Sequence, residues 1–463
     1  MKENRINYLL KNTSIFAISN ISTKIIVFLL VPLYTYCLTT EEYGTVDLLF
    51  TISSVLVPIL TLNISEAVYR FSLDKDANNN KIVSISGFIV ICSLLLGLLV
   101  IPIFSLFPQY EVYKYYFYFY LISSILSQLF LVNLKGQEKL KLFSIGNILN
   151  TILIASLNII LLKFYNKKID GYFLAYTISN FITFFYAFIA GKVLPSLRKF
   201  QFDKKLFVEM TKYSIVLIPT SFMWWIINSS DRIMVTSMVS SSANGIYAVS
   251  YKIPSILTTI AGIFNQAWMF SAISEKDSID KEKFTNKVFR TMYIFIFIIS
   301  VFIITFLKPF FKIYVESEFY SAWKFVPILV FGSVFLTFGT FVSTSYNVHK
   351  DSKGFLFSGM FGAFINVLLN FMLIPLFNVY GAAIATCISY IGVFIYRIID
   401  TKKYLIIRWN KDYILPIVIL LICCTLLYVD SIYSLIIQFL ILIAMIIRYK
   451  NDWVPILKRI FKR

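Results

Sequence analysis

Few ionisable residues of this 463-residue chain fall inside its long apolar runs, and those few are where chemistry is to be sought. The ones singled out are the cations Lys24, Arg232 and Lys252 and the carboxylates Glu66 and Asp231. A charge is costly in hydrocarbon and is kept where it faces a partner or a wet cavity. Helical spacing puts Thr13, Ala17, Asn20 and Lys24 on one face, and Trp224, Asn228, Asp231 and Arg232 on another. Lys252, Ser255, Thr259 and Gln266 form a third polar stripe, and Asn63, Glu66 and Arg70 a fourth. Cations with neighbouring donors suit a phosphate-like anion, while amides, hydroxyls and aromatic faces suit sugars.

Each residue also has a plainer reading. Lys24 can snorkel as a packing lysine, and Lys252 lies nearer a helix end, where that is easier. Asp231 and Arg232 can serve to satisfy other buried polar groups, and Glu66 and Arg70, four apart, are spaced to pair with each other. Trp224 can be packing, and Gln266 an interhelical hydrogen bond. Asp74-Lys75-Asp76 has the form of a metal-binding DxD, but in a short Asn-rich loop it reads as a solvated turn. His349, the sole histidine, has no companion ligands nearby in sequence and reads as a solvated side chain. No P-loop is present. The cysteines, Cys37, Cys92, Cys387, Cys423 and Cys424, sit in apolar runs without metal or disulfide spacing and read as small hydrophobes. No cofactor and no enzymatic activity are expected.

These stripes need helices to carry them. With 58% hydrophobic and 14% charged residues the chain lacks enough polar surface for a water-soluble globule. Apolar runs long enough to span a bilayer recur from end to end, at about 12–37, 45–70, 82–106, 115–134, 142–162, 172–191, 213–238, 245–272, 288–307, 325–346, 355–376, 382–400, 414–429 and 432–448. The fold class is therefore an all-α integral membrane protein of about fourteen transmembrane helices. Residues 1–11 are polar and basic, yet the run that follows is too long for a cleavable signal and is expected to stay as the first span. KYYFYFY from Lys114 reads as an interfacial aromatic belt.

With the N-terminus inside, inner segments hold 30 of the 43 Lys and Arg residues and outer segments 7. This places both termini in the cytoplasm. The net charge of +19 is thus a topology signal and an attraction to anionic membrane lipid. Its scatter among short loops excludes a nucleic-acid surface. Lysines at 163–168 and 308–324 fall outside and are the exceptions.

A weak internal repeat orders the spans. Asn20 and Lys24 in span one match Asn228 and Arg232 in span seven. IGNILNTILIASLNIILL from Ile145 with DGYFLAYTISN from Asp170 echoes FGAFINVLLNFMLIPLF from Phe361 with YGAAIATCISY from Tyr380. Pro32 pairs with Pro219, and Pro58 with Pro254, as kinks or tolerated prolines. Two pseudo-symmetric six-helix lobes result, at 1–206 and 207–400, followed by two additional helices and a basic tail at 401–463.

At EEYGTVDLLFTISSVLVPILTLNISEAVYRF from Glu41, DRIMVTSMVSSSANGIYAVSYKIPSILTTIAGIFNQAWMFSAISE from Asp231 and IPLFNVYGAAIATCISY from Ile374, the sequence resembles the Wzx-type flippases. These form the polysaccharide transporter branch of the multidrug, oligosaccharidyl-lipid and polysaccharide (MOP) exporter superfamily. The resemblance covers essentially the whole chain. It implies MATE-like lobes around a cavity, alternating access, and transfer of undecaprenyl-pyrophosphate-linked oligosaccharide across a bacterial cytoplasmic membrane for surface polysaccharide synthesis. The implied partners are that lipid-linked oligosaccharide, membrane lipids, a coupling proton or sodium ion, and polysaccharide polymerases and glycosyltransferases.

Substrate contacts are expected from Lys24, Asn20, Arg232, Lys252, Asn228, Trp224 and Gln266, and ion coupling from Glu66 or Asp231. Related lipid II flippases favour arginine where this chain has Lys24 and Lys252. Three other functions stay open: a lipid II flippase, a cation-coupled drug antiporter of the same superfamily, or a membrane glycan polymerase or ligase. The cationic surplus opposes the drug antiporter, and the absence of a large outer loop opposes the polymerase or ligase.

Overall fold

The computed structural model describes residues 22–74, 76–275 and 278–452. Among these, every regular element is a helix, and ten helices are long and apolar enough to cross a membrane. α1 (Ser22–Cys37) is short within the described residues. α2 (Thr40–Leu60) and α3 (Ile64–Ser72) together occupy the second expected span. Next come α4 (Asn79–Phe104), α5 (Lys114–Gly136), α6 (Leu140–Phe164) and α7 (Lys168–Ala190), then the short α8 (Val193–Arg198). α9 (Lys204–Met238) and α10 (Ser241–Ser274) follow, then α11 (Lys281–Tyr314), α12 (Val326–Val348), α13 (Ser352–Phe377) and α14 (Val379–Asp400). α15 (Ile414–Leu426) and α16 (Ile432–Arg448) are the last described helices; apart from the divided α2 and α3 and the short α8, one helix falls on each of the fourteen expected apolar runs.

The second crossing is not the continuous helix that hydropathy suggests. Thr39 opens α2 with a capping box, its hydroxyl accepting from Glu42 N at 3.2 Å while its own N–H donates to the Glu42 carboxylate at 2.9 Å. The helix then stops after Pro58, with Leu62 and Asn63 both left-handed at φ 51° and 54°. Asn63 N donates back to Pro58 O at 2.7 Å, and the Ser93 hydroxyl of α4 donates to the freed Leu60 carbonyl at 2.8 Å. Those bonds make a break at membrane depth tolerable. The expected stripe of Asn63, Glu66 and Arg70 is therefore not one face of a long helix. Arg70 pairs at 2.5 Å with Asp74, one turn after it, rather than with Glu66, one turn before it, which spacing had suggested.

The glycines ending the repeated turns have a steric reason. A Cβ on Gly381 would lie 2.2 Å from the Leu373 carbonyl oxygen, and one on Gly171 would lie 2.7 Å from the Lys167 Cβ. Only glycine lets α13 turn so tightly into α14, beside an Asn378 at φ 50°.

The chain divides into two compact units, Met1–Trp225 and Ile226–Arg463, the boundary falling within α9. In the second unit, α15 and α16 are held to α11 at both of its ends. Arg290 reaches Asp412 at 3.5 Å and Asp452 at 3.0 Å, and Lys308 reaches Asp430 at 2.5 Å. Arg290 and Lys308 are eighteen residues apart, about 27 Å along a helix, close to the thickness of a hydrocarbon core.

Candidate functional site

In the second unit, Asp231 of α9 is completely buried and is the centre of a polar cluster. One carboxylate oxygen accepts from Tyr247 Oη at 2.6 Å, Tyr251 Oη at 3.0 Å and Thr386 Oγ1 at 3.2 Å. The other accepts the Arg232 backbone N–H at 2.9 Å. Tyr247 and Tyr251 are four apart on α10 and so reach the same point, while Thr386 arrives from α14. Three hydroxyl donors and a neighbouring guanidinium offset the cost of placing a carboxylate inside a membrane helix.

The cluster extends through α13. Asn366 Nδ2 donates to Thr386 Oγ1 at 3.4 Å, its Oδ1 accepts from Ser230 Oγ at 3.2 Å, and Asn370 Nδ2 donates to the same Oδ1 at 3.0 Å. Asn366 and Asn370 are both fully buried, and Asn370 Oδ1 has no hydrogen-bond partner among the described residues. Asn228, one turn before Asp231, accepts from Tyr390 Oη at 2.9 Å. The Arg232 guanidinium lies over the Tyr251 ring, 5.3 Å from its centroid. Lys252, the next residue, is half-buried.

The structure thus brings together Asn228, Asp231 and Arg232, while Lys252 follows Tyr251 on α10. Gln266 lies fourteen residues further along α10 on an exposed surface. Lys24 is exposed on α1 and Glu66 is exposed on α3, while Trp224 is half-buried on α9, all in the first unit. Asn20 lies outside the described residues. Sequence reasoning did not find Tyr247, Tyr251, Thr386, Tyr390, Asn366 or Asn370. The four-residue spacing of Tyr247 and Tyr251 was the available signal.

Between α12 and α13 of the same unit, His349 is half-buried rather than solvated. Its ring stacks on Tyr404 at 4.2 Å, and its Nδ1 lies 2.9 Å from Ser345 O. Asp351 caps α13 there, and the Gly354 N–H and the Lys403 ammonium hold its carboxyl down to about 2. Asp74 and Asp76 are exposed, as a solvated turn requires, and no group of three or more acidic, histidine or cysteine side chains able to hold a metal occurs among the described residues.

The profile of the polysaccharide biosynthesis protein family matches residues 9–275, more than half of the chain. The chain belongs to this family. It is 23% identical over 429 residues to an uncharacterised membrane protein of Methanocaldococcus jannaschii, covering 86% of this chain and all of that one. An uncharacterised membrane protein of Haemophilus influenzae is 26% identical over 267 residues, 56% of this chain and 64% of its own.

The fold of this family member is shared with solved transporters. The lipid II flippase MurJ in an inward closed conformation superposes with a TM-score of 0.67 at 16% identity, covering 96% of this chain and 99% of that one. An inward-facing multidrug resistance MATE family transporter of the MOP superfamily gives 0.66 at 15% identity, covering 84% and 97%. The protein is accordingly a multi-pass membrane protein with the MOP transporter fold.

Proposed function

We propose that the protein is a flippase that carries polyprenyl-pyrophosphate-linked oligosaccharide across the cytoplasmic membrane, with both termini in the cytoplasm. The observation that carries this reading is Arg232, a cation within a membrane helix, held over Tyr251 beside the buried Asp231 cluster. An intramembrane guanidinium with hydroxyl and amide neighbours suits a phosphate anion and the sugars attached to it. Membership of a polysaccharide biosynthesis family and a flippase-like fold agree with such a cargo. Lys24 and Lys252 are proposed to contact the pyrophosphate, with Asn20, Asn228, Trp224 and Gln266 as further substrate contacts.

Asp231 is proposed to couple transport to a proton or sodium ion. One carboxylate with the neutral oxygens of Thr386, Asn366 and Asn370 fits a monovalent cation better than a divalent one. Glu66, exposed on α3, is the weaker candidate.

The test is deletion in the host. Lipid-linked oligosaccharide should continue to be made and should collect in the inner leaflet. Extension of glycans by the purified protein in detergent would replace this reading with a polymerase.

A further inference from the structure

Within the second unit a narrow cleft opens where four helix ends meet, away from the cluster around Asp231. The last two turns of α10 and of α12, the first turn of α11 and the residues that follow α14 line it. Ends of crossing helices lie at a membrane boundary, so the cleft borders lipid head groups. Its aromatic lining is fixed. Trp268 of α10 stacks on Phe341 of α12 at 4.8 Å and 14°, while Tyr404, stacked on His349, donates its hydroxyl to Asp351 Oδ2 at 3.0 Å.

The polar groups of this lining are left unsatisfied by the protein. Thr285 and Thr344 are only 8% and 3% exposed, yet their hydroxyls have no hydrogen-bond partner among the described residues. Buried hydroxyls of this kind call for a partner. Lys281 has no carboxylate partner there, and Glu275 accepts from the Ser278 hydroxyl but has no cation partner. With His349 Nδ1 directed at Ser345 O, the proton of a neutral ring sits on Nδ1 and Nε2 is an acceptor. Lys281 and the threonines can therefore donate to a phosphate, and Glu275 and His349 can accept from an ammonium. A head group that is only anionic would meet Glu275, and one that is only cationic would meet Lys281. We infer that the cleft binds the amine–phosphate head group of a zwitterionic membrane phospholipid of the phosphatidylethanolamine type. This lipid is not the cargo, and the site shares no residue with the proposed cargo contacts.

The test titrates the full chain in detergent micelles with phosphatidylethanolamine, with phosphatidylglycerol of the same acyl chains and with free phosphoethanolamine, counting bound molecules by native mass spectrometry. Wild-type protein should bind phosphatidylethanolamine about tenfold more tightly than phosphatidylglycerol. Glu275→Gln should remove that preference by weakening phosphatidylethanolamine alone. Lys281→Gln should weaken both lipids by about tenfold, and Thr344→Val, which keeps the shape, should weaken both by less. If Glu275→Gln lowers the melting temperature without lipid, Lys281→Gln decides.

Equal binding of the two lipids by wild-type protein would overturn the site, as would wild-type affinities in folded Lys281→Gln. Free phosphoethanolamine binding as tightly as the lipid would make the ligand a water-soluble one and overturn the assignment to the membrane.

Discussion

The two halves of the internal repeat carry matching amides in different electrostatic settings. In the first unit, Asn150 of α6 donates to Asn180 Oδ1 at 3.1 Å and to Thr183 Oγ1 at 3.0 Å, joining α6 to α7 through neutral groups. In the second, Asn366 of α13 occupies the equivalent place in the repeat and donates to Thr386 of α14, whose hydroxyl in turn donates to a buried carboxylate. Neutral amide hydrogen bonds help hold membrane helices together. A buried carboxylate ringed by hydroxyls adds a group whose protonation or cation binding can bias a conformational equilibrium. On the proposed function, the first amide network serves packing and the second serves coupling.

The largest expected effect comes from breaking the charged side. Asp231→Ala leaves the Tyr247, Tyr251 and Thr386 hydroxyls and the Arg232 backbone N–H without the carboxylate that accepts from them. A buried polar group left without its partner costs about 1–3 kcal/mol. Thermal unfolding in detergent should show a marked fall, with transport lost. An unchanged melting temperature would mean that the cluster bears no load.

Reversing a cation comes next. Lys24→Glu and Lys252→Glu, each at matched membrane abundance, should abolish transport, because two like unit charges 4 Å apart repel by about 4 kcal/mol at an effective dielectric of 20. Wild-type rates in both variants would remove the anionic cargo and favour exchange of cationic compounds.

A matched pair sharpens the comparison itself. Asn366→Leu should stop transport, whereas Asn150→Leu should lower stability by about 1 kcal/mol and leave most transport intact. Equal transport defects would erase the distinction between the halves.

How far the sequence reached can be judged from particular residues. The crossings were legible because hydropathy and the Lys and Arg bias report the bilayer directly. Asp231 and Arg232 stood out for the same reason. The hydroxyl partners did not, since Thr386 meets Asp231 across 155 positions of sequence and hydropathy says nothing of which helices touch. The break after α2 was equally hidden. Pro58 hinted at it, but the left-handed Leu62 and Asn63 are set by tertiary contacts such as Ser93 with Leu60 O. Of the adjacent indoles, sequence analysis favoured Trp224 for its helical face, while Trp225 is the one bonded to α2.

The smallest effect expected lies at the start of α13 in the second unit. Asp351 is held down to about 2, chiefly by the Gly354 N–H and then by Lys403. A depressed carboxyl stabilises the fold above its unfolded value near 4, and that contribution is lost as pH falls through 2. Asp351→Asn should therefore be slightly less stable than wild type at neutral pH, and the difference should close as the pH approaches 2. A difference independent of pH would point to shape rather than charge.

The most direct measurement is movement of the cargo in proteoliposomes. Carrier-linked oligosaccharide labelled on its sugar is enclosed with the purified protein, and the label appearing at the opposite face is followed under an imposed proton or sodium gradient. Wild-type protein should move the label at a rate that depends on one of the two gradients, and Asp231→Asn should remove that dependence. Label that stays on its original face, or movement in Asp231→Asn with an unchanged gradient dependence, would contradict the account.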